Sequence, residues 1–502
     1  MKPANKLINK LSAIYTGKAL LWAIIGLGIL FRAIRYLYNS SLCRDEATLA
    51  LNLVNRSFSG LLQPLDPLQV APTGFLMVER FLIQTLGASD YVLRLFPFIC
   101  GLISLFLFYK VARHFSRQLT LPISLCLFSV CCWLIHYGSK VKPYSSDVTI
   151  ALLLLLITVY LQSRKLTAGR IAMFGIAGAV SIWLSFTSIF VLAGMGSSLL
   201  IFGLADKDWR RIGRLSILYL IWLISFILFY IVCLNNLSRN DILPGLISNR
   251  LVPFPPKSFS DAKWLVEKFF YVFINPGGLF MPGLAAFAFL AGCASMFIEN
   301  WRKPVLLLSP VAFAMVASGF GKYPFDGRLI LFIVPSLFIL MAEGAWQINS
   351  RITRNSAITG IILTGLLIGP PALYAVHQAV KRPWTHKEIV LAMKYLEDHR
   401  QRKDLVYVYY GAVPAFEYYS KDHGFDKNDY IEGRWGRGAW NTFVDDLSDL
   451  KGNKRVWIVF SHVWKDAGVD EELFILHYLD KMGKRVDSFK GFDSSAYLYD
   501  LR

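Results

Sequence analysis

The sequence predicts a polytopic α-helical membrane protein of about eleven transmembrane helices that ends in a small α/β domain. Three observations predict it. Of the 502 residues, 55% are hydrophobic and 17% charged, and the mean hydropathy is +0.45, far more apolar than a soluble globular chain. Apolar stretches of bilayer-crossing length recur along the first three quarters of the chain. The net charge of +19 sits wholly in that part: residues 381–502 hold 20 basic and 20 acidic side chains, which leaves 33 and 14 for residues 1–380. An excess confined to the apolar region reads as basic loops between spans and anion-binding groups. It does not read as a nucleic-acid surface, which would be a basic soluble domain.

The predicted spans are 19–38, 93–112, 118–137, 147–162, 170–186, 187–204, 215–235, 279–298, 304–319, 328–346 and 356–376. With the N-terminus in the cytoplasm, every alternate loop is basic: Arg113 and Arg117; Arg164, Lys165 and Arg170; Lys207, Arg210, Arg211 and Arg214; Arg302 and Lys303; Arg351 and Arg354. That is the positive-inside pattern, and an odd number of spans carries the C-terminus to the outer side. Two outer loops are long, 39–92 and 236–278. In the first, residues 71–86 are apolar, too short to span and interrupted by Glu79–Arg80, which suits a helix lying at the interface. Residues 262–274 read the same way. All seven cysteines lie in the membrane part without CxxC spacing, so no disulfide framework or Cys/His metal site is predicted.

Beyond residue 385 the apolar runs shorten. Residues 404–410, 455–463 and 495–500 have the length and composition of strands, and 388–401, 412–419 and 471–483 have helical spacing. The alternation predicts an α/β domain, 385–502, with a mainly parallel sheet. It would stand on the outer face of a membrane domain formed by residues 1–380.

Charged residues on the outer side carry the chemical signal. Asp45 and Glu46 are adjacent carboxylates just past the first span, suited to general-base work or to holding a divalent cation; the plain alternative is a loop with a helix cap. Lys140, Lys142, Tyr144 and Asp147 crowd the loop between the third and fourth spans. Lysines there run against the positive-inside trend, and a phosphate is a natural partner for them; headgroup anchoring is the alternative. Lys322 and Tyr323 lie before the tenth span and Arg328 opens it, where a guanidinium can grip phosphate bidentately. Arg94 opens the second span. Together these groups describe an outward-facing site for an anionic, membrane-bound substrate beside a base. A transporter or flippase of a lipid-linked or anionic substrate, or a non-catalytic membrane subunit, would share the spans; the former usually shows repeat halves and broken midplane helices.

The order of these segments resembles the family 39-type glycosyltransferases of the GT-C superfamily, which include protein O-mannosyltransferases and the aminoarabinose transferase of lipid A. The resemblance rests on RDEA (44–47), QVAPTGFLMVERF (69–81), GASDYVLRLFP (87–97), KVKPYSSD (140–147) and YPFDGR (323–328). Relatives often carry two prolines after a Lys or Gln, where only Pro72 follows Gln69 here, and often an Arg where Lys142 stands. The resemblance implies an inverting glycosyltransferase of a bacterial inner membrane. It would move a sugar from a polyprenyl-phosphate donor to an unknown glycan, lipid or protein acceptor. Asp45 would be the base and Glu46 its helper or a co-ligand of a divalent cation, with no other cofactor implied. Lys140, Lys142, Arg328 and Arg94 would meet the donor phosphate. Tyr144, Asp147, Lys322 and Tyr323 would line the substrate cavity.

Overall fold

The computed structural model describes residues 17–66, 69–234, 250–352, 356–381, 389–436, 440–466 and 468–502. Arg354, most of the first half of loop 236–278 and the expected start of the C-terminal domain at 385–388 lie outside the described residues. Among the described residues, and besides a single turn at Asp90–Leu93, the α-helices before residue 381 are α1 (Lys18–Tyr38), α2 (Arg44–Asn55), α3 (Thr73–Leu86), α4 (Leu95–Phe115), α5 (Leu121–Val130), α6 (Cys132–Tyr137), α7 (Tyr144–Gln162), α8 (Ala168–Leu184), α9 (Ser188–Ala205), α10 (Trp209–Phe229), α11 (Phe259–Ile274), α12 (Pro282–Asn300), α13 (Arg302–Gly319), α14 (Val334–Gln347) and α15 (Ala357–Val380). Each of the eleven predicted stretches falls on helix. Among the described residues, eight helical segments are long and apolar enough to cross a membrane, and α5 and α8 are shorter apolar helices. These are the helices of an integral membrane protein.

Two packing features set the frame of the site. α12 and α14 touch backbone to backbone: a Cβ added at Gly292 or Gly344 would run into the Leu340 or Ala288 carbonyl oxygen. Small residues allow such close approach where no hydrophobic force separates helix from lipid. The third predicted span is not one helix. It breaks at Cys131, whose backbone is extended (φ −60°, ψ 112°). The carbonyls of Phe128 and Ser129, released by the break, receive the buried Arg32 guanidinium at 3.4 and 3.3 Å. Orphan carbonyls in a membrane interior need such a donor, and α6 can then run at a new angle into the loop that holds Lys140 and Lys142.

In the C-terminal part, β1 (Leu405–Val408), β2 (Ile431–Glu432), β3 (Val456–Ser461), the hairpin of β4 (Lys465–Asp466) and β5 (Val469–Asp470), β6 (Lys484–Lys490) and β7 (Ser494–Asp500) accompany α16 (Ile389–His399), α17 (Val413–Tyr419), α18 (Trp440–Ser448) and α19 (Glu471–Met482). The five-stranded sheet has the order β2-β1-β3-β7-β6. β2, β1 and β3 are parallel, whereas β7 and β6 run antiparallel. The expected mainly parallel sheet is therefore mixed. The antiparallel side arises because β6 and β7 are joined by a tight turn, which needs no crossover helix.

Alternation along the strands gives the sheet two apolar faces. Tyr407, Ile458, Phe460 and Tyr497 face α18 and α19. Val406, Val408, Trp457 and Leu498 face α16 and α17, and this second core continues without interruption into Leu42, Ala47, Leu49, Ala50 and Leu53 of the first outer loop and Phe75 and Leu76 of α3. The α/β part and the loop 39–92 thus share one core. α3, read from the sequence as a helix lying at the interface, buries the face of Phe75, Leu76, Glu79 and Ile83 on this core and leaves Phe81 and Leu86 exposed. Glu79 is 0% exposed, and Arg80 Nη1 donates to the Leu53 and Val54 carbonyls at 2.9 and 3.0 Å, closing the end of α2.

Candidate active site

α1 ends at Asn39 in a left-handed conformation (φ 44°), a position asparagine tolerates well. The chain turns into α2, whose N-cap is Cys43. Glu46, the third helical residue, reaches back to the Cys43 amide at 3.2 Å and completes a capping box. Because Glu46 does the capping, Asp45 at the second position is turned elsewhere.

Glu46 is 1% exposed. Its carboxylate accepts from Arg94 Nε and Nη2 at 3.3 Å each, from Lys140 Nζ at 2.6 Å and from the Val141 amide at 3.0 Å. Arg94, also buried, spends its remaining nitrogen on Asn39 Oδ1 (3.0 Å) and the Ser40 carbonyl (2.6 Å). Burial alone would raise the pKa of Glu46, but Arg94 and Lys140 outweigh it and hold the carboxyl well below the usual range. Arg94 and Lys140, expected to meet a donor phosphate, are thus committed to a buried carboxylate.

Asp45 is different. It is 46% exposed, and its Oδ2 meets Arg328 Nη2 at 3.1 Å; Arg328 is 40% exposed. Lys142 is buried and donates to Gln69 Oε1 at 2.6 Å. A tight turn, Lys142 amide to Lys140 carbonyl at 2.7 Å, sends the two lysines to different partners. Partial burial works to raise the pKa of Asp45, and the charges of Lys142 and then Arg328 outweigh it, so the carboxyl lies below its ordinary value. Arg328 also lies over the Tyr144 ring, 5.6 Å from its centre, and Tyr144 packs edge-on against Tyr137 at 5.0 Å. Arg328 is steadied by its own loop: Asp326 pairs with Lys268, and the Tyr323 hydroxyl donates to the Leu329 carbonyl at 2.7 Å.

The structure therefore brings Asp45, Lys142, Arg328 and Tyr144 together. Asp147 is buried one turn further along α7, accepting from Ser185 Oγ at 2.5 Å. Lys322 is exposed, and Tyr323 supports the loop. The two carboxylates do not fit a shared divalent cation: Glu46 is occupied by two cationic side chains and two backbone amides, while Asp45 faces Arg328. Among the described residues no group of three or more His, Cys, Asp or Glu side chains has metal-binding geometry.

Residues of the C-terminal part also reach this point, and no local pattern marks them. His462 Nε2 accepts from the Arg44 amide at 2.7 Å. The Arg44 guanidinium lies 4.9 Å from the Trp435 ring centre and 5.7 Å from that of Tyr410. Tyr419 Oη accepts from the Leu42 amide at 2.8 Å and donates to Asp90 at 2.6 Å. Of the added residues, Arg44, Gln69 and Asp90 lie in the motif segments quoted above, whereas His462, Trp435, Tyr410 and Tyr419 lie in none of them.

No family model and no curated protein sequence matches the chain. Solved structures do. The crystal structure of ArnT from Cupriavidus metallidurans bound to undecaprenyl phosphate matches with TM-score 0.55 and 12% identity, over 96% of this chain and 98% of that one. Its apo state matches with TM-score 0.52 and 13% identity, over 95% and 98%. The chain has a GT-C fold. The apo oligosaccharyltransferase of Archaeoglobus fulgidus, also GT-C, matches with TM-score 0.50 and 12% identity over 97% of this chain and 75% of that one. At such identities the likeness is one of fold, and it extends through both the helical part and the C-terminal α/β part.

Proposed function

We propose that this chain is an inverting glycosyltransferase that moves a sugar from a polyprenyl-phosphate donor to an acceptor hydroxyl. One observation carries the reading. On a GT-C scaffold, Asp45 is a half-exposed carboxylate set beside two cations, Arg328 and Lys142, and it is left out of the buried net that fixes its neighbour Glu46. The full-length likeness to a structure bound to undecaprenyl phosphate supports a lipid-phosphate donor.

In this reading the acceptor oxygen forms a bond to the anomeric carbon while its proton passes to Asp45. The bond from that carbon to the lipid phosphate breaks, and the phosphate leaves with the electron pair. One displacement inverts the configuration. Arg328 and Lys142 neutralise the charge that grows on the departing phosphate. An exposed ion pair contributes about 0–1 kcal/mol, so an arriving phosphate can draw Arg328 away from Asp45 at little cost. Losing that cation raises the basicity of Asp45 when the acceptor needs it. Arg94 and Lys140 hold Glu46 and through it the start of α2. Tyr144 backs Arg328, and Tyr323 supports the Arg328 loop.

The proposed topology keeps eleven spans, a cytoplasmic N-terminus and residues 385–502 as a domain on the outer face of a bacterial inner membrane; a reporter fused after Arg502 should be active only outside. The function is tested by mass spectrometry of envelope lipids and glycans from cells carrying the wild-type chain or Asp45→Asn. A sugar present in the first and missing from the second names donor and acceptor together. Identical profiles reject the reading.

A further inference from the structure

We infer that the C-terminal part completes the active site by latching the first turn of α2, with His462 as a positioning residue for Asp45. The inference rests on the reading of Asp45 as the base.

The first four amides of a helix have no partner within it. In α2 the Cys43 N-cap offers only sulfur, and Glu46 closes the Cys43 amide. The amide of Arg44, immediately before Asp45, is taken by His462 Nε2 at 2.7 Å across 418 positions of sequence. For Nε2 to accept, the neutral ring must carry its proton on Nδ1, and that atom lies 2.9 Å from Ser461 Oγ, a natural acceptor. His462 itself sits at φ 57° at the end of β3. A non-glycine residue in that sparsely populated region persists where its surroundings demand it. The Arg44 side chain is held from the same direction by Trp435 and Tyr410. Asp45 is thus fixed on both flanks: Glu46 is tied into the membrane part by Arg94 and Lys140, and Arg44 is tied into the α/β part by His462. Placing a base to within a fraction of an ångström requires such support, since an error near 1 Å costs catalysis about a hundredfold.

The test uses the full-length protein purified in detergent. His462→Ala is expected to raise amide exchange over residues 42–47 about three- to tenfold, the worth of one net hydrogen bond. α3 and β3 should keep wild-type protection, and undecaprenyl phosphate binding followed by native mass spectrometry should be unchanged. His462→Gln, whose Oε1 can reach the same amide, should restore protection. With the donor and acceptor found in the envelope comparison, His462→Ala should lose about ten- to a hundredfold in kcat, with KM unchanged. Wild-type exchange over 42–47 overturns the inference. So does loosening that spreads through residues 389–502, which would make His462 a packing group alone, and so does local loosening with full turnover. A local rise in a protein whose wild type transfers no sugar keeps the latch and rejects the transferase reading instead.

Discussion

Two regions flank the start of α2, and they treat the same chemical group in opposite ways. In the floor, Glu46 is buried and every oxygen is taken by a cation or a backbone amide. At the rim, Asp45 is half-exposed and meets one guanidinium that is itself half in water. Removing one partner of a buried, hydrogen-bonded charge group typically costs about 3–5 kcal/mol, whereas an exposed pair is worth about 0–1 kcal/mol. The floor can therefore only be structure. The rim can be broken and remade, as a group that exchanges protons and partners must be. Neighbouring carboxylates in one motif are not a functional unit simply because they are adjacent.

The sharpest way to break this contrast is Asp45→Asn. It keeps the shape and removes the charge, and general-base catalysis is typically worth a factor of about a hundred to ten thousand. Protein yield and melting temperature should stay normal while product formation drops by at least the lower figure. Near-normal turnover would return Asp45 to a plain surface role.

Glu46→Gln should do the reverse. It leaves Arg94 and Lys140 buried around a neutral amide, so a loss of about 3–5 kcal/mol is expected, read as low yield and a lowered melting temperature. The sign of the pH effect follows from the depressed pKa. The wild type holds this stability above about pH 4.3, the ordinary glutamate value, and loses it as pH falls through the folded-state value. Thermal melts from pH 7 downward should show that acid loss in the wild type and a flatter profile in Glu46→Gln.

Smaller effects separate the two rim cations. Arg328→Ala and Lys142→Ala should each weaken donor use, since a charge-assisted contact is worth roughly 1.5–3 kcal/mol. That is about ten- to a hundred-and-fifty-fold in apparent affinity, measured by titrating undecaprenyl phosphate. Full affinity in either variant would make that residue an anchor for the loop. The smallest effect is on pH. Lys142 and Arg328 hold the pKa of Asp45 down, so the acid limb of kcat/KM in the wild type should lie below about 3.9. It should move to higher pH in Lys142→Ala, because one of the charges that favours the carboxylate is gone. A limb that stays in place would show that Asp45 is not the titrating group.

The apolar stretches were legible because length and hydropathy alone define them. The break at Cys131 was not, since both sides of it are apolar and the partner that permits it, Arg32, lies about a hundred positions away. β1, β3 and β7 stood out as buried apolar runs, while β6 is an exposed, charged edge and β2 has only two residues. Asp45, Lys142 and Arg328 could be singled out from the sequence because charge at the mouth of a span needs a reason, and the structure places Asp45 against Arg328. The division between Asp45 and Glu46 was hidden because it depends on Arg94 and Lys140, 48 and 94 positions from Glu46. His462 was beyond reach for the same reason, with no local pattern to mark a contact made only by the tertiary fold.

The core shared by α2, α3 and the sheet also sets a clock on synthesis. α2 leaves the ribosome more than three hundred residues before β1, and at about 5–20 residues per second that is a wait of roughly 15–70 s. For that interval the apolar face formed by Leu42, Ala47, Leu49, Ala50 and Leu53 has no sheet to cover it. The nascent chain must lodge that face in lipid or on a chaperone until its last hundred residues arrive. A chain truncated before β1 would be left with an open apolar seam and with the start of α2 held only from the membrane side, by Arg94 and Lys140 on Glu46 and without His462 on the Arg44 amide.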